Sequence, residues 1–197
     1  MTHSIFPPAH IPPVSPWVAR FAPLVPKTAP ILDLACGSGR HLRHFRGRGH
    51  AVAGVDIDLQ GVADLQGTQG VELVQADIEG GPWPFAGRRF AGIVVANYLH
   101  RPLLPVLVAA LAPGGVLIYE TFAQGNQRFG RPSTPAHLLR SGELLDAVRG
   151  SLQVVAYEHG EVASPRAAVV QRLCAVADLE PVAALDKSPE PHPLPAP

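Results

Sequence analysis

An α/β fold built on a mostly parallel sheet of seven strands is what this sequence predicts, on three observations. Short, almost continuous apolar runs alternate with segments of helical spacing from Ile31 to Phe122, as expected for strands covered by helices on both faces. A glycine-rich turn, Ala35-Cys36-Gly37-Ser38-Gly39, joins the first run to the first helical segment. Beyond residue 150, two apolar runs are joined by a connection too short for a helical crossover, so they are antiparallel neighbours.

Length and composition fit one domain. The chain has 197 residues, 47% of them hydrophobic, with 16 basic and 16 acidic side chains. That is enough apolar material for one full core. Of the 22 prolines, 14 lie in residues 1–30 or 181–197. The sequence therefore predicts a proline-rich arm with a short helix over 1–27, a domain over 28–179, and a disordered proline-rich tail over 180–197.

The elements follow in order. Trp17, Val18, Phe21, Leu24 and Val25 recur at helical spacing, so 15–25 reads as a short amphipathic helix. Strands are expected over 31–35, 51–56, 71–76, 90–96 and 116–122, with helical segments over 41–48, 58–65 and 103–111. The Pro-Gly-Gly at 113–115 marks a turn. A helix over 141–150 precedes the closing strands, 152–157 and 167–177, joined by the polar connection 158–166.

Three aspartates mark one edge of this sheet. Asp33, Asp56 and Asp77 sit at or near the carboxyl ends of the first three strands, 23 and 21 residues apart. One strand, one helix and two loops need about that length, so all three arrive where open α/β sheets bind ligands. Asp56 can accept hydrogen bonds from both ribose hydroxyls, and Asp77 from an exocyclic adenine amine while the Ile78 amide donates to the ring. The pattern is a nucleoside pocket. A carboxylate at Asp33 repels a pyrophosphate and attracts ammonium and sulfonium groups. Moreover, Gly37 and Gly39 are followed by Arg40, His41 and Leu42, so the third glycine of a dinucleotide fingerprint is missing.

Together, LDLACGSGR, GVDID and QADIE resemble the motifs of class I S-adenosylmethionine-dependent methyltransferases. The resemblance covers about residues 31–122 and implies a Rossmann-like sheet in the order 3-2-1-4-5-7-6 with its last strand antiparallel. It implies S-adenosyl-L-methionine held by Asp33, Ala35, Cys36, Gly37, Gly39, Asp56, Ile57, Asp77, Ile78 and the backbone of Asn97, with no metal. ACGSGRH and LLRSGELLDAV are similar to small-molecule methyltransferases of the tellurite-resistance type. The hairpin EHGEVASPRAAVV departs from the histidine–arginine pair expected in the tellurite-acting members.

On the acceptor side, His100 is the candidate proton acceptor, with Tyr98 and Arg101 as substrate contacts. The long loop 123–137 reads as a lid carrying Phe129 and Arg131 toward the acceptor. Cys36, inside the turn, reads as a packing residue. The basic run Arg40, His41, Arg43, His44, Arg46 and Arg48 reads as a solvated helix face.

The expected activity is methyl transfer to a small molecule. RNA or protein acceptors, an NAD-dependent oxidoreductase and a non-catalytic nucleotide-binding protein are the alternatives. Zero formal net charge weighs against nucleic acid. The uncharged stretch 102–119 is broken by Pro105, Pro113, Gly114 and Gly115, which argues against a membrane span. Two cysteines without framework spacing and no signal-like start suggest the cytoplasm. No feature of the sequence selects an oligomeric state.

Overall fold

A computed structural model describes residues 11–178 and 191–196. The first ten residues of the expected arm and most of the expected tail lie outside the described residues.

Seven strands form one sheet: β1 (Ile31–Leu34), β2 (Val52–Asp56), β3 (Val71–Gln75), β4 (Phe90–Ala96), β5 (Leu111–Phe122), β6 (Gln153–Val162) and β7 (Ala168–Val176). Their order is β3-β2-β1-β4-β5-β7-β6. Strands β1 to β5 pair in parallel, while β7 runs antiparallel between β5 and β6. The expected order and the antiparallel last strand are both present.

Helices α1 (Pro16–Phe21) and α2 (Arg40–Gly47) cover one face; α3 (Leu104–Ala109) and α4 (Glu143–Val148) cover the other. Helix α1 starts where Ser15 caps it, its Oγ accepting from the amides of Trp17 (3.2 Å) and Val18 (3.5 Å), with Pro16 at the first helical position. It buries Trp17, Val18 and Phe21 against Val94, Ile118 and Cys174. On the opposite face Leu107, Leu144 and Val148 pack on Leu32, Ile93 and Leu117. Alternate strand residues thus feed two apolar layers, as the two-residue period of a strand requires.

Three local expectations need correction. Strand β5 begins at Leu111, ahead of the expected 116: pairing jumps from Phe90↔Leu111 to Gly92↔Val116, so the Pro-Gly-Gly turn is taken up in a bulge. Residues Gln60–Leu65 form a 3-10 helix in place of an α-helix. A Cβ at Gly61 would lie 2.7 Å from the Gly37 carbonyl oxygen, so this turn packs directly on the glycine loop. Finally, β6 runs on to Val162, leaving a connection of only residues 163–167 before β7.

Candidate functional site

Strand order reverses at β1, with β2 on one side and β4 on the other. The crevice above their carboxyl ends is where a parallel sheet leaves room for a ligand. The only two non-glycine residues of positive φ among those described stand on its lips: Ala35 (φ 53°) after β1 and Asn97 (φ 58°) after β4. An alanine held in this conformation is strained, and such strain concentrates at binding sites. Gly37 and Gly39 (φ 51° and 70°) complete the turn. A Cβ at Gly39 would meet Val62 Cγ1 at 2.5 Å, so only glycine fits there.

Asp56, at the end of β2, faces this turn. Its Oδ2 accepts the Gly37 amide at 2.8 Å, and its Oδ1 accepts the Asp58 amide at 3.1 Å. Ile57 beside it is 66% exposed, a large apolar side chain open above the sheet edge. Asp77 Oδ1 accepts the amides of Glu79 (2.9 Å) and Gly80 (3.0 Å), which hold its carboxyl below the ordinary range. A Cβ at Gly81 would stand 2.5 Å from the Asp77 carbonyl oxygen. Sequence reasoning missed the parts of Gly80 and Gly81, although the doubled glycine was a readable turn signal. It also missed Gly61, for which no local signal existed.

Asp33 lies deeper, 3% exposed, with Oδ1 3.6 Å from Nδ1 of the equally buried His41. Its Oδ2 has no hydrogen-bond partner among the described residues, and neither has His41 Nε2. Burial pushes the Asp33 carboxyl up, against the pull of His41. His41 therefore leaves the solvated basic face that the sequence suggested. Arg43 leaves it too, forming a two-pronged pair with Asp64 (2.7 and 2.8 Å). Cys36 is buried in the apolar layer; burial first, then the charges of Asp33 and Asp56, push its thiol up to about 12, which disfavours the thiolate. Ile78 is buried in the apolar layer, and its backbone follows Asp77 into the same turn.

The acceptor candidates divide. His100 Nδ1 stands 3.8 Å from Glu79 Oε2, which places it beside the turn that carries Asp77. The Tyr98 hydroxyl is buried without a hydrogen-bond partner among the described residues, and burial, then the charge of Glu79, suppresses its ionisation. Arg101 is not free for a substrate. It donates to Glu143 (2.6 and 3.0 Å) and to the carbonyl oxygens of Ala136 (2.7 Å) and Leu138 (2.8 Å). A guanidinium has five donors, and four contacts of this quality commit it to anchoring the chain before α4.

The loop over 123–137 is likewise fixed. Asn126, 2% exposed, donates to the Pro132 carbonyl oxygen (2.9 Å) and accepts the Val169 amide (3.2 Å). Phe129 is 42% exposed, with the Arg128 guanidinium carbon 5.3 Å from the centroid of its ring. Arg131 is exposed, and its carbonyl oxygen accepts from Arg166 (3.3 Å). Across the mouth, Ser15 donates to Glu120 Oε1 (2.7 Å), and Arg172 donates to Glu120 Oε2 (2.5 Å) and to Glu158 (3.0 Å). No helix among the described residues is long and apolar enough to cross a membrane.

Comparison with known proteins agrees with this geometry. Residues 31–115 match the family described as a methyltransferase domain. Malonyl-[acyl-carrier protein] O-methyltransferase of Salmonella typhimurium is 30% identical over 108 residues, covering 50% of this chain and 41% of that protein. The chain thus spans less than half the length of this curated relative. Among solved structures, an S-adenosylmethionine-dependent methyltransferase of Methanosarcina mazei superposes with a TM-score of 0.63 at 17% identity, covering 85% of this chain and 100% of that one. TehB of Haemophilus influenzae gives 0.64 at 17% identity, over 82% and 61%. A Burkholderia thailandensis 1,6-didemethyltoxoflavin-N1-methyltransferase, solved with S-adenosylhomocysteine, gives 0.59 at 20% identity, over 83% and 76%. Residues 31–115 thus match a methyltransferase-domain family, and the fold is the one these solved S-adenosylmethionine-dependent methyltransferases share.

Proposed function

We propose that this protein transfers a methyl group from S-adenosylmethionine to a small-molecule acceptor. The observation that carries the reading is the pairing of Asp56 with the Gly37 amide across a turn in which Ala35, Gly37 and Gly39 all hold positive φ. The residues fit the cofactor. Asp56 offers remaining lone pairs to ribose hydroxyls, Ile57 an apolar surface to a base, and Asp77 a carboxylate with one oxygen outside its own turn. Below the turn, Asp33 Oδ2, which has no hydrogen-bond partner among the described residues, is a buried acceptor suited to an ammonium-bearing ligand and unsuited to a pyrophosphate.

When bound, the sulfonium supplies an already activated methyl group. The chain's own task is then alignment and exclusion of water. Asn97, Tyr98 and His100 follow β4, and the loop over 123–137, tied down at Asn126, follows β5, the next strand along this edge. His100, beside Glu79, is the group able to take a proton from an oxygen or nitrogen acceptor; a thiolate needs no such base. Both the relative that methylates an acyl-carrier-bound malonyl group and the toxoflavin-type neighbour support a small acceptor group. Both cysteines, Cys36 and Cys174, are free and buried, which fits a reducing cytoplasm.

Calorimetric titration with S-adenosylmethionine and S-adenosylhomocysteine tests the reading. Binding in the micromolar range is expected, with no comparable response to NAD. Absence of binding at hundreds of micromolar would overturn it. A transfer screen with labelled methyl donor against thiol, metalloid, amine, carboxylate and RNA acceptors then separates a small-molecule acceptor from a macromolecular one.

A further inference from the structure

We infer that the carboxyl end of β5 carries an anion-binding subsite, formed by Arg166 and Arg131 beside Phe122, that holds a carboxylate or phosphate group of the methyl acceptor. This rests on the methyltransferase reading above. Phe122 is the last residue of β5, opposite Val170 of β7. With Leu138, Ala168 and Val170 it forms a small apolar cluster of its own, separate from the two main layers. The Arg166 guanidinium carbon lies 5.1 Å from the centroid of the Phe122 ring, and Nη2 donates to the Arg131 carbonyl oxygen at 3.3 Å. A guanidinium stacked on an aromatic face keeps its in-plane N–H donors available, in the fork geometry that matches planar or tetrahedral oxyanions.

Charge pairing singles out these two arginines. At this end of the sheet Arg172 is paired with Glu120 and Glu158, Arg128 with Glu161, and Arg101 and Arg140 with Glu143. Arg131 and Arg166 have no carboxylate within ion-pair distance among the described residues, and both side chains are exposed. The carboxylates nearby are already neutralised, so they oppose an incoming anion little. The other end of the same edge is acidic, with Asp56, Asp58, Asp77 and Glu79 after β2 and β3. The edge thus has opposite polarity at its two ends, which orients an acceptor carrying an anionic group with that group over β5 and β7.

The test uses the full chain and three probes of similar shape: benzoate, phenyl phosphate and benzamide. Binding is read by calorimetry and by chemical-shift titration, with and without S-adenosylhomocysteine. At least one of the anions should bind about tenfold or more tightly than benzamide, and which one wins distinguishes a carboxylate from a phosphate subsite. Arg166→Gln and Arg131→Gln should each lower anion affinity by about tenfold while leaving benzamide unchanged; Arg166→Lys should retain part of it. Arg149→Gln, on the exposed end of α4, should change nothing. Equal affinity for benzamide and the anions, or unaltered anion binding in both glutamine variants, would overturn the subsite. The exposed positions of both arginines predict wild-type melting temperatures. Failure of S-adenosylhomocysteine to bind would instead strike the methyltransferase reading, because the anion titrations without it judge the subsite by themselves.

Discussion

Asp56 Oδ2 accepts the Gly37 amide at 2.8 Å, so the end of β2 is tied to the turn that follows β1. One carboxylate therefore shapes the loop and faces the ligand at once. Asp56→Ala should lower affinity for S-adenosylhomocysteine by about 1.5–3 kcal/mol, the range for hydrogen bonds to a charged group. Its cost to the melting temperature should be modest, since the contact lies at an exposed edge. Calorimetric titration beside a thermal melt separates the two effects.

Gly39 and Gly67 offer a matched pair. Both hold positive φ (70° and 74°), but a Cβ at Gly39 would strike Val62 whereas one at Gly67 meets nothing within 4 Å. Gly67→Ala should cost only the backbone term, about 1 kcal/mol. Gly39→Ala adds a clash in the apolar layer and should cost about 2–4 kcal/mol, with weakened cofactor binding. Urea denaturation of the two variants measures the difference.

The contrast also shows where the sequence was legible. Periodicity and the spacing of Asp33, Asp56 and Asp77 were enough to place β1 to β4 and the edge of the sheet, because each signal is local to one strand and its turn. The hairpin of β6 and β7 followed from the shortness of its connection. What escaped were contacts between distant segments. Nothing around Gly61 announces that the Gly37 carbonyl lies against it, and nothing around Arg101 reveals its bonds to Ala136, Leu138 and Glu143. His41 misled for the same reason: its neighbours in sequence are basic and solvated, while its neighbour in space is Asp33.

Glu143 should make stability depend on acid pH. Burial pushes its carboxyl up, but Arg101 and the Arg140 amide outweigh this and hold it below the ordinary glutamate value of 4.5. Folding thus favours the ionised form. The stabilisation is complete above about pH 4.5 and is lost as pH falls through the lower, folded value. Glu143→Gln should cost about 1–3 kcal/mol at neutral pH, discounted for partial exposure of Arg101, and should flatten the acid limb of a stability–pH curve. Hydrogen exchange should rise over residues 136–140 in that variant.

His100 distinguishes acceptor chemistries. His100→Ala should reduce turnover of oxygen or nitrogen acceptors by about 10²–10⁴-fold, the usual worth of a general base, and leave a thiolate acceptor nearly unaffected. Glu79→Gln, removing the carboxylate 3.8 Å from its Nδ1, should lower turnover of the same oxygen or nitrogen acceptors, by less than His100→Ala, without altering cofactor affinity. Rate–pH profiles with paired thiol and amine acceptors check both.

Ser15 joins the start of α1 to the sheet. Ser15→Ala removes the cap of Trp17 and Val18 and the hydrogen bond to Glu120. A loss of about 1–3 kcal/mol is expected, measurable as a lower midpoint in urea.

Helix α1 is made before every strand of the sheet, yet its partners include the last of them. The Trp17 indole donates to the Leu173 carbonyl oxygen at 3.2 Å across 156 residues, and Ser15 reaches Arg172 through Glu120. The growing chain can add each of β2 to β5 beside a strand already made, but β5 keeps an open edge until β7 slides in beside it. The earliest helix must therefore wait, uncommitted, for the last strand. Closure of the sheet is the step in which both ends of the domain become native together, and it should limit the rate of folding because long-range pairing is slow.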